Sequence, residues 1–166
     1  MTTSIEEVWA ALADLADPEI PVISLRDLGI LRDVRTGADG LEVVITPTYS
    51  GCPAMSQIED DIRSTLKNKG ISARVVTQLA PAWTTDWMTE SGKEKLRAYG
   101  IAPPHQTPAA HNVVRFISRP AKAEAVPCPH CGSSNTVVSS QFGSTACKAL
   151  YKCQDCQEPF DYFKPY

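Results

Sequence analysis

The sequence predicts an α+β fold: a small α/β layer domain, with helices on a three-stranded sheet, followed by a β-rich segment. Three observations predict it. Helically spaced apolar residues alternate with β-branched runs at first, prolines recur farther on, and two cysteine pairs lie near the C-terminal end. We therefore expect a layer domain at 1–101, a Pro/Ala-rich linker at 102–126 with an extra strand suggested at 112–117, and a small domain at 127–166.

The first helix is predicted from apolar residues at helical spacing that follow an N-cap residue. Ser4 is a favourable N-cap, and the segment 17–21 (DPEIP) ends the helix because proline cannot continue it. The apolar positions are Ile5, Val8, Trp9, Leu12 and Leu15.

A hairpin follows. The segments 28–35 and 41–46 are rich in β-branched and aliphatic residues, and the intervening GADG (37–40) has turn composition. Beyond it, helical spacing predicts a helix from Pro53 to about Asn68, β-branched residues predict a strand at 71–78, and a last helix is expected at 86–99.

Charge excludes one large class of partners. The net charge is −3, with 13 basic against 16 acidic residues up to Val126 and 3 against 3 thereafter. Neither part has the basic surface that nucleic-acid binding needs. There is no apolar run long enough to span a membrane and no signal-peptide pattern at the start, so we expect a cytoplasmic protein with reduced cysteines.

The paired cysteines predict a zinc ribbon. Cys128 and Cys131 form one CxxC pair and Cys153 and Cys156 another, with 21 residues between Cys131 and Cys153. Each CxxC turn presents two thiolates to one ion, and the strand-like sequence between the pairs is typical of a ribbon. Because four thiolates close the site, we expect structural Zn²⁺, with His130 facing solvent.

Two other cysteines need separate explanations. Cys147 lies six residues before Cys153 on an expected strand, too far away to be a ligand, so it is either a buried apolar thiol or a second functional one. Cys52 follows a strand and, as the expected N-cap before Pro53, would have its thiolate stabilised by the helix dipole. A buried turn residue is the alternative interpretation.

Three stretches carry a family resemblance: DPEIPVISLRDLGI (17–30), TPTYSGCPAM (46–55) and PAWTTDWMTESGKEKLRAYGI (81–101). They resemble the SufT-like iron–sulfur assembly family. Together with the ribbon and FGSTACKALYKC (142–153), they resemble its members that accompany phenylacetyl-CoA epoxidase in phenylacetate catabolism. The resemblance implies that Cys52 delivers or holds iron or iron–sulfur clusters, with Asp17 and Glu19 of its DPE motif nearby. It also implies an accessory or maturation role, with the oxygenase or the reductase as partner.

The residues agree with that role and exclude the oxygenase itself. The chain has no Glu-x-x-His pair for a di-iron site and no GxGxxG dinucleotide fingerprint. One thiolate cannot hold a cluster alone, so Cys52 would need ligands from a second protomer, a client or Cys147. A transiently loaded homodimer or client complex is therefore expected.

The sequence leaves three alternatives open. The chain could be a scaffolding subunit of the multicomponent oxygenase that never handles iron. It could be a thiol redox protein using Cys52 and Cys147. The aromatic tail at 159–166 (PFDYFKPY) could stack on nucleic-acid bases, although the charge count opposes this, and the last strand of the ribbon explains the tail more simply.

Overall fold

The computed structural model describes residues 3–105 and 125–165, so the strand suggested at 112–117 lies outside the described residues. Internal contacts divide the chain into two units, the first reaching Lys95 and the second running Leu96–Pro165. Helices and two β-sheets make up the described chain, which confirms the predicted α+β class.

The first unit begins with helix α1 (Ile5–Leu12), which starts as the sequence predicts. The Ser4 hydroxyl accepts a hydrogen bond from the backbone N–H of Glu7 at 3.2 Å. The Glu7 carboxylate accepts one from the backbone N–H of Ser4 at 2.8 Å. This reciprocal pair satisfies donors that the first helical turn leaves unpaired.

A three-stranded sheet follows, in the order β1-β2-β3. Strands β1 (Leu31–Gly37) and β2 (Gly40–Ile45) form the predicted antiparallel hairpin. Helix α2 (Met55–Asn68) then carries the chain to β3 (Ala73–Thr77), which pairs parallel to β2. A parallel neighbour requires such a crossover connection.

The core of this unit lies between the helices and the sheet. Helix α1 contacts α2 and β1, and α2 contacts β3. Along each helix, the side chains that α1 and α2 bury are spaced four residues apart, so they lie on one face of an amphipathic helix. They are Val8, Leu12, Ile58, Ile62 and Leu66.

The last helix is shorter than predicted. A 3₁₀ turn occupies Thr85–Trp87, and helix α3 (Glu90–Ala98) begins only afterwards. The reason is local: Met88 is extended, and the Thr89 hydroxyl accepts a hydrogen bond from the backbone N–H of Gly92 at 2.9 Å. A threonine in that role starts a new helix instead of continuing the earlier turn.

Glu42 on β2 is a buried carboxylate held by arginines from both neighbouring strands. Its Oε1 accepts a hydrogen bond from Arg74 on β3, and its Oε2 accepts one from Nε of Arg35 on β1 at 3.1 Å. These bonds, from Arg74 first and then Arg35, lower the pKa of Glu42 below its ordinary value of 4.5. The charged form is therefore the one that the fold stabilises.

We expect Glu42→Gln to destabilise the protein at neutral pH. The free energy of unfolding of this variant should also depend less on pH in the acidic range. Because the folded-state pKa is depressed, the contribution of Glu42 is complete above its ordinary pKa and is lost as pH falls through the folded-state value. Urea unfolding between about pH 3 and pH 7 measures the free energy of unfolding of both proteins. The difference between wild type and Glu42→Gln should become smaller as the pH is lowered. Glu90→Gln, an exposed ion-pair partner of Lys93, is the control. A difference that stays constant with pH would contradict this role.

The second unit contains a four-stranded sheet in the order β4-β7-β6-β5. Strands β5 (Thr136–Ser140), β6 (Lys148–Cys153) and β7 (Pro159–Phe163) are antiparallel neighbours. A two-residue strand β4 (Ile101–Ala102), which the sequence did not indicate, pairs parallel to β7. The aromatic tail therefore supplies the last strand of the ribbon, as the simpler interpretation predicted.

Buried side chains from these strands form one cluster. Tyr151 stacks on Phe160 with ring centroids 5.8 Å apart and meets Tyr162 edge-on at 5.3 Å. Both Ala102 and Val126 belong to this cluster, so residues at each end of the expected linker pack with the ribbon.

Candidate metal centre and the Cys52 turn

Two turns present the four ribbon cysteines. In the first, the N–H of Gly132 donates to the carbonyl of Cys128 at 2.8 Å, and the N–H of Cys128 donates to the carbonyl of Ser133 at 2.9 Å. In the second, Cys153 ends β6 and its N–H donates to the carbonyl of Glu158 at 3.0 Å. Backbone hydrogen bonds thus fold both CxxC loops.

The sulfur atoms form a compact group whose geometry suits a tetrahedral ion. All four Sγ atoms lie within 4.8 Å of one another. The Sγ atoms of Cys128 and Cys156 are 3.7 Å apart, and those of Cys131 and Cys153 are 3.6 Å apart. A tetrahedron with metal–sulfur distances of about 2.3 Å has edges of about 3.8 Å. The donor set therefore fits a metal ion bound by four thiolates.

The pKa values of the cysteines also indicate that this centre binds a cation. A backbone hydrogen bond from Cys156, with another from Asp155, outweighs burial and lowers the pKa of Cys153 to about 7. At Cys156 a backbone hydrogen bond from Glu158 favours the thiolate, but burial and the three neighbouring thiols raise its pKa to about 12. Four thiolates cannot coexist here unless a positive ion compensates their charge.

Asp155 joins the two cysteine turns, a role that the spacing of the cysteines did not predict. Its carboxylate accepts hydrogen bonds from the Ser133 hydroxyl and, at 2.8 Å, from Nδ2 of Asn135. These two bonds lower the pKa of Asp155. Such outer contacts orient the ligands of a metal site. The available signal was an aspartate inside the second CxxC, a residue type that accepts hydrogen bonds from a turn.

Cys52 lies in a turn on the first unit, but it is not the N-cap of α2. The helix begins at Met55, its N-cap is Ala54, and no side chain caps it. The N–H of Cys52 donates to the carbonyl of Tyr49 at 3.2 Å, and its own carbonyl accepts from Met55 at 3.4 Å. The expected N-cap was therefore wrong, because Pro53 and Ala54 form a separate turn ahead of the helix. The thiol is half-buried and in no disulfide.

The other residues predicted to handle iron differ from Cys52 and from one another in burial and contacts. Asp17 is buried, and its Oδ1 accepts hydrogen bonds from the backbone N–H groups of Glu19 at 2.9 Å and Ile20 at 2.8 Å. Glu19 itself is exposed. Cys147 belongs to the second unit, where its buried Sγ lies 3.0 Å from the Thr145 hydroxyl and outside the four-cysteine group.

Two family models match the chain. Residues 5–77 match the one described as iron-sulfur cluster assembly protein, and residues 115–164 match the one described as PaaD zinc beta ribbon domain. The fold and the metal centre therefore define a class of protein, an iron–sulfur assembly domain joined to a zinc ribbon.

Individual relatives narrow the class. An Escherichia coli protein, named as a subunit of a "Putative 1,2-phenylacetyl-CoA epoxidase", is 48% identical over 161 residues, covering 96% of this chain and 92% of that protein. A Porphyromonas gingivalis "Fe-S protein maturation auxiliary factor" is 35% identical, covering 55% and 89% respectively. The chain belongs to the PaaD family, that of the Escherichia coli epoxidase protein.

A solved structure resembles part of this chain in fold. The crystal structure of a domain of unknown function, DUF59, from Bacillus anthracis has a TM-score of 0.50 and 25% identity, covering 55% of this chain and 90% of that one. Within the described residues, no helix is both long and apolar enough to cross a membrane.

Proposed function

We propose that this protein is an accessory maturation factor for phenylacetyl-CoA epoxidase, which delivers or assembles iron or iron–sulfur clusters for the oxygenase or its reductase. The observation that carries the proposal is that one chain joins an iron–sulfur assembly domain to the PaaD ribbon. The named relatives support an accessory role in iron–sulfur maturation instead of catalysis.

Cys52 is the proposed transfer ligand. A thiolate is a preferred ligand of iron and of iron–sulfur clusters, and a half-buried cysteine in a surface turn can reach a second molecule. Asp17, Glu19 and Cys147 are the residues of this chain that we propose to test as further ligands. Release would exchange the Cys52 thiolate for a client ligand on the same iron, after which the thiolate is free to take up a proton.

The four-cysteine centre is proposed to hold structural Zn²⁺. All four ligand positions are taken by thiolates, which leaves no open position for substrate. Cys128, Cys131, Cys153 and Cys156 would supply these ligands, and the ion would supply the charge compensation and cross-linking that a small β-rich unit needs to fold.

The domain assignments and partners belong to the same proposal. We assign iron handling to residues 1–101, a linker to 102–126 and the zinc ribbon to 127–166. The partners are the other epoxidase components, with a homodimer as the loaded form, no nucleic acid and no membrane. The proposed compartment is the cytoplasm, where thiols stay reduced.

Anaerobic reconstitution tests the role of Cys52. Iron and sulfide supplied to the full chain should produce cluster absorption and an EPR signal after reduction, and Cys52→Ala should lose most of both. Zinc content should stay near one ion per chain, as the four-cysteine site requires. Ser50→Ala, an exposed neighbour in the same turn, is the matched control. Equal cluster loading of wild type and Cys52→Ala would overturn the assignment of Cys52.

Cellular epoxidase activity separates maturation from scaffolding. In cells lacking the native protein, Cys52→Ser should fail to restore activity and yet still copurify with the epoxidase components. Normal activity with Cys52→Ser would favour a scaffold and would contradict the maturation role.

A further inference from the structure

The first unit carries an arginine that a strand irregularity directs onto an aromatic ring. The β1–β2 pairing runs from Leu31 opposite Ile45 directly to Asp33 opposite Val44, so Arg32 is the extra residue of a β-bulge. A bulge redirects its extra side chain away from the regular alternation of the strand. Here the guanidinium carbon of Arg32 lies 3.5 Å from the centroid of the Trp87 ring.

Trp87 is itself held firmly in position. Its backbone carbonyl oxygen would lie 2.7 Å from a Cβ on Gly29, a residue with φ of +79°, so glycine permits this close approach. Nearby, the indole N–H of Trp83 donates to the carbonyl of Leu28 at 3.1 Å. The segment before β1 and the 3₁₀ turn are therefore packed tightly together.

The guanidinium of Arg32 has its hydrogen-bonding capacity unused. Across residues 3–105 and 125–165, the Arg32 guanidinium has no hydrogen bond and no ion pair to another residue, although the group carries five N–H donors. Burial lowers the pKa of Arg32, and the neighbouring Asp33 raises it. These N–H donors are therefore available to a ligand that supplies oxygen atoms.

These donors line a cleft of about 300 Å³. Val44, Pro81 and Trp87 supply its apolar wall, and Gln78 and a second arginine, Arg35, supply polar groups. Arg35 uses its Nε on Glu42, which leaves its terminal nitrogens available. Asp33 also lines the cleft, so the net charge of the cleft is only modestly positive.

We propose that this cleft binds a carboxylate, with Arg32 as the bidentate donor and Trp87 as its stacking platform. A planar carboxylate matches the fork of a guanidinium that is already stacked on an aromatic ring. Its single charge suits a site that also contains Asp33, which would repel a phosphate dianion. The site uses neither Cys52 nor the ribbon, and it therefore goes beyond the proposed function.

A carboxylate could come from a small metabolite or from an acidic side chain of a partner protein, and two probes distinguish these sources. The first is propionate, a monocarboxylate, and the second is the peptide acetyl-Ala-Glu-Ala-Glu-Ala-amide, which has only side-chain carboxylates. Nitrogen-15-labelled full-length protein is titrated at low salt while the Trp87 indole and Arg32 Nε resonances are followed. We expect saturable shifts of both resonances. The probe that binds with the higher affinity identifies whether the carboxylate comes from a small metabolite or from a partner protein.

Variants make the test specific. Arg32→Gln should abolish the shifts, and Arg32→Lys should weaken binding by about tenfold, because lysine keeps the charge but loses the planar fork. Arg63→Gln, which removes the same charge from exposed ion pairs on α2, should bind like wild type. The Gln-substituted peptide should not bind.

Three results would overturn the proposal. One is the absence of a saturable shift with either probe. Another is equal weakening by Arg32→Gln and Arg63→Gln, which would indicate unspecific attraction. The third is inorganic phosphate binding as tightly as propionate, which would show that the site does not select carboxylates.

Discussion

Replacing Cys153 with serine should abolish metal binding and unfold the ribbon, the largest effect that we expect in this protein. Cys153 is fully buried within the four-cysteine group and also belongs to the hydrophobic cluster. Binding of structural zinc contributes about 10–16 kcal/mol in comparable small units, and that free energy is coupled directly to folding. Loss of near-ultraviolet circular dichroism from the clustered tyrosines, together with zinc content, measures the effect.

The chain offers its own control for this variant. Cys147→Ser alters a buried thiol in the same unit that is not part of the metal group, so zinc content and the tyrosine signal should persist. A strong chelator should reproduce the Cys153→Ser result in wild type. A ribbon that keeps its tyrosine signal after complete metal removal would show that its hydrophobic cluster is sufficient alone.

Gly29→Ala should cause the second largest loss, about 3 kcal/mol of unfolding free energy, from left-handed backbone strain together with steric overlap. Gly29 has φ of +79°, and its added Cβ would meet three atoms of Trp87 at 2.7–2.9 Å. Urea unfolding measures the loss, and the Trp87 indole resonance reports whether the 3₁₀ turn has moved.

Gly70→Ala separates the contribution of backbone strain from that of steric overlap. Gly70 has a similar φ of +69°, but a Cβ added there would have nothing within 4 Å, so it should lose only the backbone contribution, about 1–2 kcal/mol. The difference between the two variants is then the cost of the overlap with Trp87. Equal losses would show that the turn moves aside without penalty.

Local signals in the sequence were sufficient to predict most of the helices and strands. The Ser4 cap, the spacing of Ile58, Ile62 and Leu66, and the GADG turn each act within a few residues, and the structure confirms all three. The cysteine pairs were equally informative, because each CxxC brings two ligands together within one turn.

Features that depend on distant partners were harder to predict. Strand β4 exists only because Ile101 and Ala102 pair with Asp161 and Tyr162, far along the chain. The bulge at Arg32 becomes visible only in register with β2, since one extra residue leaves no mark on composition. The start of α2 was misplaced by a short turn, because Pro53 is as compatible with a turn as with a first helical position.

The close spacing of the four ribbon sulfurs has a consequence for counting metals. Tetrahedral four-thiolate sites accept iron as well as zinc, and a single ferrous or ferric ion needs no sulfide. With sulfur–sulfur distances of 3.6 and 3.7 Å, the ribbon can therefore report mononuclear iron whether or not Cys52 is present. Acid-labile sulfide, counted beside iron, distinguishes a cluster from an ion that has replaced zinc. Iron that is matched by sulfide reports the cargo, and iron without sulfide reports the ribbon.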